Sequence, residues 1–204
     1  MVILSEKLPN GVKPSPARSR RVPLSTRPMD LLYFGFFASH LFASLLLDLQ
    51  WLYPASLVPK SLRALNEYYI VLSGDPLMGA LAGLKHDFGM TWFKTFVTME
   101  AFFQVPVFIL GLSALWKGSK KIYPLLLIYA TSSATTTLPC LIYILSLPGP
   151  TPTTTPLDHT LTFEQRLVLL SGYGPFFLVP LIMVFDFGSR LQKFVSQKPE
   201  QKLD

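Results

Sequence analysis

The stretch "TFVTMEAFFQVPVFILGLSALW", residues 95–116, holds 22 residues and one ionisable side chain, Glu100. At about 1.5 Å per helical residue it reaches about 33 Å, enough to cross a hydrocarbon core of about 30 Å. Three further apolar blocks of similar length flank it, at 31–53, 122–147 and 167–187. Buried helices of a soluble bundle would carry polar stripes at helical spacing, and these blocks lack them. The pattern predicts an all-α membrane protein, a four-transmembrane-helix bundle. Glu100 is then the anomaly: a carboxylate inside a span, with Gln104 one turn further on.

Composition agrees with this reading. Half of the 204 residues are hydrophobic, 15% are charged and 16 are phenylalanine, with a formal net charge of +6. Of the 18 basic residues, six lie in 1–29 (Lys7, Lys13, Arg18, Arg20, Arg21, Arg27), three in 117–121 and four in 188–204. Four crossings place those 13 on one side, so the positive-inside rule predicts that both termini are cytoplasmic. The clusters hug helix ends with no fold to present a groove, which argues against a nucleic-acid partner. Cys140 is the single cysteine and lies within the third span, so no intrachain disulfide is available. No Asn-x-Ser/Thr sequon and no cleaved signal peptide are read, and five prolines before residue 29 would break an amphipathic presequence helix. The organisation expected is a disordered basic cytosolic arm over 1–27, a membrane domain over 28–190 and a basic cytosolic tail over 191–204.

The connectors differ in character. After "WLYP", where Trp51 and Tyr53 read as interfacial anchors and Pro54 as a helix stop, "SLRALNEYYIVL" has apolar residues near helical spacing. It predicts an amphipathic helix on the membrane or capping the bundle. "SGDPLMGALAGL" reads as a turn followed by a segment that re-enters the protein. "SLPGPTPTTTPLDHT" is too rich in proline to be helical. Pro106, Pro124, Pro139, Pro175 and Pro180 lie within the spans; each frees a backbone carbonyl, which is tolerated where it faces protein or a cavity.

Placed by depth, the polar residues converge. His40, Ser44 and Asp48 follow i, i+4, i+8, while Glu100 and Gln104 follow i, i+4. "TSSATTT" (131–137) and Tyr173 come to the same half of the bilayer, on the far, lumenal or extracellular side. A charged side chain at mid-bilayer costs about 2.5–3.5 kcal/mol on insertion scales, so such residues face inward and find partners. Asp48 alone reads as well as a helix-end anchor, and Glu100 alone as an interhelical hydrogen bonder. Together, with no basic residue in any span core, they predict an acidic ligand cavity in the lumenal half whose carboxyls share protons or await a cation. Such a cavity suits an amphiphile carrying an amine or hydroxyl.

Five ordered blocks carry a resemblance: "SHLFASLLLDLQ", "GDPL", "WFKTFVTMEAFFQVPVF", "KGSKKIYPLLLIYATSSATTTLP" and "YGPFFLVP". Over residues 28–190 the chain resembles the sigma-2 receptor (transmembrane protein 97) family of the EXPERA superfamily, which also holds the emopamil-binding sterol isomerases. The proline-rich arm and "PGPTPTTTP" suggest a fungal member. The resemblance implies a four-helix protein of the endoplasmic reticulum whose cavity takes sterols and cationic amphiphiles. It implies that Asp48 pairs with an amine, that Asp75 folds over the cavity as its partner, and that Glu100, Gln104, His40, Thr136 and Tyr173 join them. Phe176 stands where the animal receptor has a second tyrosine.

Three functions follow as expectations. The first is a non-enzymatic binding protein for a sterol or cationic amphiphile in sterol and lipid homeostasis, with Phe103, Tyr173 and Phe176 adding cation–π contacts. The second is an endoplasmic-reticulum quality-control factor for mitochondrial precursor proteins, a task linked to fungal relatives. The third is a sterol isomerase, disfavoured because no His-x-x-x-Glu pair exists: Ser44, Met90 and Phe163 follow the three histidines at that spacing. No catalytic residue, metal site or cofactor is assigned. The partners expected are the ligand and the lipid bilayer, with other membrane proteins, mitochondrial precursors and a homodimer left open. "KPEQKLD" is an incomplete dilysine signal, so retention in the endoplasmic reticulum rests on the resemblance.

Overall fold

The computed structural model describes residues 22–54 and 56–196. Most of the basic arm and the end of the tail therefore lie outside the described residues. In chain order the helices are α1 (Pro28–Leu46), α2 (Lys60–Ser73), α3 (Pro76–Leu81), α4 (Thr91–Lys117), α5 (Lys120–Ser146) and α6 (Phe163–Ser196). Four of them, α1, α4, α5 and α6, are long and apolar enough to cross a membrane. Among the described residues there is no strand.

α1 begins with Pro28 at its first position, where the missing N–H costs nothing. It buries Tyr33, Phe36, Phe37, His40 and Ser44, one face of the helix. It ends at Leu46, earlier than the apolar block to residue 53 suggests. The chain turns into a 3-10 segment, Asp48–Leu52, and side chains from it and from Tyr53 just after it take over two of the helix's last carbonyls. Gln50 Nε2 donates to the Leu46 carbonyl at 2.6 Å, and Tyr53 Oη to the Leu45 carbonyl at 3.0 Å. Tyr53, expected as an interfacial anchor, thus also closes a helix end.

α1 packs mainly on the second half of α4, and α5 mainly on α6; the two pairs meet over one aromatic cluster. Tyr33 and Phe37 of α1, Phe108 of α4, Tyr129 of α5 and Phe187 of α6 are fully buried in it. Lipid tails are as apolar as these rings, so close packing rather than exclusion from water holds the cluster. Phe37 and Phe108 each meet Tyr129 edge-on, with centroids 5.2 and 5.4 Å apart, contacts worth about 0.5–1.5 kcal/mol beyond buried area. Gly111 permits the approach of α1 to α4, because a Cβ there would stand 2.9 Å from the Phe37 ring.

Polar contacts lock the same end of the bundle. Asp30 accepts from Arg27 at 2.5 Å and from Arg190 at 2.6 Å. Arg190 also reaches Asp186 at 2.7 Å, while Tyr33 donates to Asp186 at 2.9 Å. Arg27 donates to the Leu115 carbonyl at 2.7 Å. The start of α1 therefore lies beside the last turns of α6, as four crossings require. α6 runs to Ser196, well past the expected end at 187, so Arg190 and, from the basic tail, Lys193 belong to the helix.

At the opposite end the connectors fold inward. α3 has Pro76 through Ala80 buried, the re-entrant segment expected from "SGDPLMGALAGL". The proline-rich loop 148–162 contains no helix. It is stitched to the first connector where Lys85 Nζ donates to the Asp158 carbonyl at 2.9 Å and His86 N–H to the Leu157 carbonyl at 3.1 Å.

Candidate functional site

Between the aromatic cluster and the inward-folded connector lies a cavity of about 250 Å³. Its wall includes His40, Asp48, Glu100, Gln104, Thr136, Tyr173 and Phe176, seven of the eight side chains singled out from the sequence. Tyr69, Met78, Phe93, Phe96, Ser133, Thr137 and Cys140 complete much of the rest. The wall contains no lysine or arginine.

The local build of α4 sets Glu100 and Gln104. Its helix runs as α through Met99, widens into a π turn over Glu100–Gln104, and resumes at Val105. Val105 N–H bonds the Glu100 carbonyl, five residues back. Pro106 follows at once and has no N–H for the Phe102 carbonyl, so the ladder is already interrupted there. π turns of this kind are frequent at functional sites. Ser44 Oγ of α1 donates to Glu100 Oε1, and His40 Nε2 stands 3.5 Å from the same oxygen. The His40 ring is held by Phe176 and Phe108, with centroids 4.4 and 4.6 Å away. A His/Glu pair absent from the sequence at local spacing is thus assembled between two helices.

Asp75 departs from the expectation. It is fully buried, is missing from the cavity wall, and has both oxygens engaged. Oδ1 accepts from the N–H groups of Leu77 at 2.9 Å and Met78 at 3.0 Å, capping α3; Oδ2 accepts from Tyr69 and Tyr173, each at 3.0 Å. Asp75 therefore holds two wall tyrosines and does not itself face the cavity. The signal was in "GDP": Asp before Pro marks an N-cap followed by the first helical residue. Phe103 also differs, packing on the aromatic cluster while Phe93 and Phe96 line the cavity.

Asp48 lies just past the end of α1, outside the spanning helix. Burial pushes its carboxyl well above the usual range, and the charges of Glu100 and then Asp75 push it the same way. Burial raises Asp75 too, against the four hydrogen bonds it accepts. The hydroxyls of Thr136 and Thr137 turn back on their own helix, Thr137 donating to the Ser133 carbonyl at 2.8 Å. That lowers the cost of a threonine run in an apolar setting and leaves the hydroxyl oxygens as acceptors.

A helical bundle with an acid-lined cavity and four helices long and apolar enough to cross a membrane defines a multi-pass membrane protein. The model of the EXPERA family (EXPanded EBP superfamily) matches residues 61–187. "Sigma intracellular receptor 2" of Xenopus tropicalis is 34% identical over 159 residues, 78% of this chain and 86% of the relative. The protein of that name from Homo sapiens is 30% identical over 181 residues, 88% and 98%. "Efficient mitochondria targeting-associated protein 19" of Schizosaccharomyces pombe is 30% identical over 178 residues, 85% and 82%. The chain belongs to the EXPERA superfamily, within the group formed by the sigma-2 receptor and its fungal counterparts.

Proposed function

We propose that this chain is a non-enzymatic membrane protein of the endoplasmic reticulum that binds a sterol-like or cationic amphiphile and serves sterol and lipid homeostasis. The observation that carries the reading is a cavity walled by aromatic rings, with Asp48 and Glu100 in its lining and no lysine or arginine there. An entering amine supplies the missing cation: Asp48 pairs with it, and Tyr173 and Phe176 offer ring faces worth about 0.5–2 kcal/mol each. A hydroxyl, as on a sterol, donates to the same carboxylate. The side carrying Arg27 and Arg190 is the cytosolic one in this reading, which puts the cavity in the lumenal half.

The test is binding of a radiolabelled cationic amphiphile to purified protein, wild type against Asp48→Asn, with a sterol as competitor. Saturable binding, displaced by sterol and weakened at least about tenfold in the variant, is expected, because the lost contact is a charge-assisted one worth about 1.5–3 kcal/mol. No binding by folded wild type sinks the proposal. Similarity to the fission-yeast protein supports a second reading, help in delivering mitochondrial precursors. It predicts co-purification of such precursors irrespective of Asp48.

A further inference from the structure

A second cavity of about 430 Å³ adjoins the first, and Leu47, Asp48 and Met78 belong to the walls of both. Its other walls come from the turn after α1 and from α2 and α3: Gln50, Trp51, Tyr53, Val58, Arg63, Asn66, Glu67, Leu81 and Ala82. The two chambers differ in chemistry. The first is ringed by aromatic side chains and hydroxyls, whereas the second carries the amide or charged groups of Asp48, Gln50, Arg63, Asn66 and Glu67. Asn66 is 8% exposed and its Oδ1 has no hydrogen-bond partner in the protein; Trp51 Nε1 has none either. Both amide N–H groups of Gln50 are spent on the Leu46 and Leu62 carbonyls, so its oxygen remains an acceptor. Asp48 and Glu67 add carboxylates to this wall and Arg63 a guanidinium. Carboxylate, amide and guanidinium groups gathered around one cavity suit a guest with several hydroxyls.

Size supports the same idea. Pockets for drug-sized ligands run to about 300–1,000 Å³, which the first cavity alone does not reach and the two together do. The partition between them is soft. Met78 has its backbone N–H fixed on Asp75 at 3.0 Å, but an unbranched thioether side chain re-packs easily.

We propose that the second chamber is a headgroup pocket, so that the preferred ligand is a bipartite amphiphile: an apolar body in the first cavity, an amine or hydroxyl at Asp48, and a hydroxyl-rich head beyond the Leu47–Met78 partition. This rests on the binding function proposed above and adds the class of ligand. Two probes separate the ideas, an N-alkyl-N,N-dimethylamine and the N-alkyl-N-methylamine bearing a six-carbon polyol. Each has one cation and the same tail, and both are titrated against the full chain in lipid nanodiscs. The polyol amine is expected to bind about tenfold tighter, the increment of one or two net hydrogen bonds. Ala82→Trp fills only the second chamber and should abolish that preference, and Glu67→Gln should reduce it, while the simple amine keeps its affinity in both. Equal affinities in wild type, or a preference that survives Ala82→Trp, overturn the headgroup pocket. Failure of both amines to show Asp48-dependent binding overturns the underlying ligand function instead.

Discussion

At Asp75 both carboxylate oxygens are engaged by four donors of the protein itself, whereas Asp48 stands in the wall of two cavities. Identical side chains are thus used once to build the site and once to face it. The distinction has a consequence for stability. Asp48 has its folded-state pKa raised, first by burial and then by neighbouring acids. An acid raised in this way keeps its proton in the fold where the unfolded chain has lost it. Its contribution is fully present below the ordinary aspartate range and is lost as pH rises through the folded-state value. An amide at this position has no proton to lose. Asp48→Asn should therefore match wild type in acid and melt above it in mildly alkaline buffer. A gain of at least about 2–4 °C is expected, the shift that accompanies 1 kcal/mol in a chain of this size. Melting curves across pH, followed by circular dichroism in nanodiscs, read this directly; a variant that melts below wild type at high pH would show that the ionised carboxylate supports the fold. The residue that weakens the empty protein is then the one that meets the ligand.

Elements meet at corners that hydropathy does not describe. α2 ends on Gly74, whose φ of +68° is left-handed, and a Cβ there would stand 2.7 Å from the Gln165 amide. Gln165 is itself occupied: its Oε1 accepts from Thr162 N–H at 3.0 Å while Thr162 Oγ1 accepts from Gln165 N–H at 3.2 Å. That reciprocal capping box starts α6, so one glycine serves the end of α2, the entry to α3 and the start of the last span. Gly74→Ala should cost about 1–2 kcal/mol for the left-handed backbone alone, and more if Gln165 is displaced. Denaturation of purified protein measures it; an unchanged midpoint would mean the corner relaxes freely. The four spans were legible because crossing about 30 Å of hydrocarbon demands a long apolar run whatever the neighbours are. The end of α1 at Leu46 was not, because it depends on Gln50 and Tyr53 reaching back to two carbonyls. The π turn was half legible: Pro106 announces a broken ladder, but the i+5 pairing that repairs it involves no special residue type.

The whole molecule divides its stability and its chemistry between its two ends. One end holds the aromatic cluster and the network of Asp30, Arg27, Arg190, Asp186 and Tyr33, which joins α1 to α6 and, through the Leu115 carbonyl, to α4. The other end holds the two cavities, with short helices and a stitched loop beside them. From the sequence, convergence of His40, Asp48, Glu100, Gln104 and Tyr173 on one half of the bundle was readable, because helical spacing and crossing direction fix depth. The ion network was not, because its partners are up to 160 residues apart and depth alone pairs no two of them. This separation makes a paired experiment decisive. The Asp30 side chain is 5% exposed and faces two arginines, themselves 19% and 23% exposed. Removing its charge leaves Arg27 the Leu115 carbonyl and Arg190 the Asp186 carboxylate; the full 3–5 kcal/mol of a broken buried pair is discounted for the arginines' partial exposure to about 2–4 kcal/mol. Asp30→Asn should therefore lower the melting temperature by about 4–16 °C, using about 2–4 °C per kcal/mol. Measured below that temperature, its affinity for a cationic amphiphile should equal that of wild type, since no residue of the network lines either cavity. Asp48→Asn should do the reverse at alkaline pH, gaining stability and losing the ligand. If Asp30→Asn weakens binding in protein that remains folded, the two ends are mechanically coupled, and the rigid lock at one end becomes part of how the chamber at the other keeps its shape.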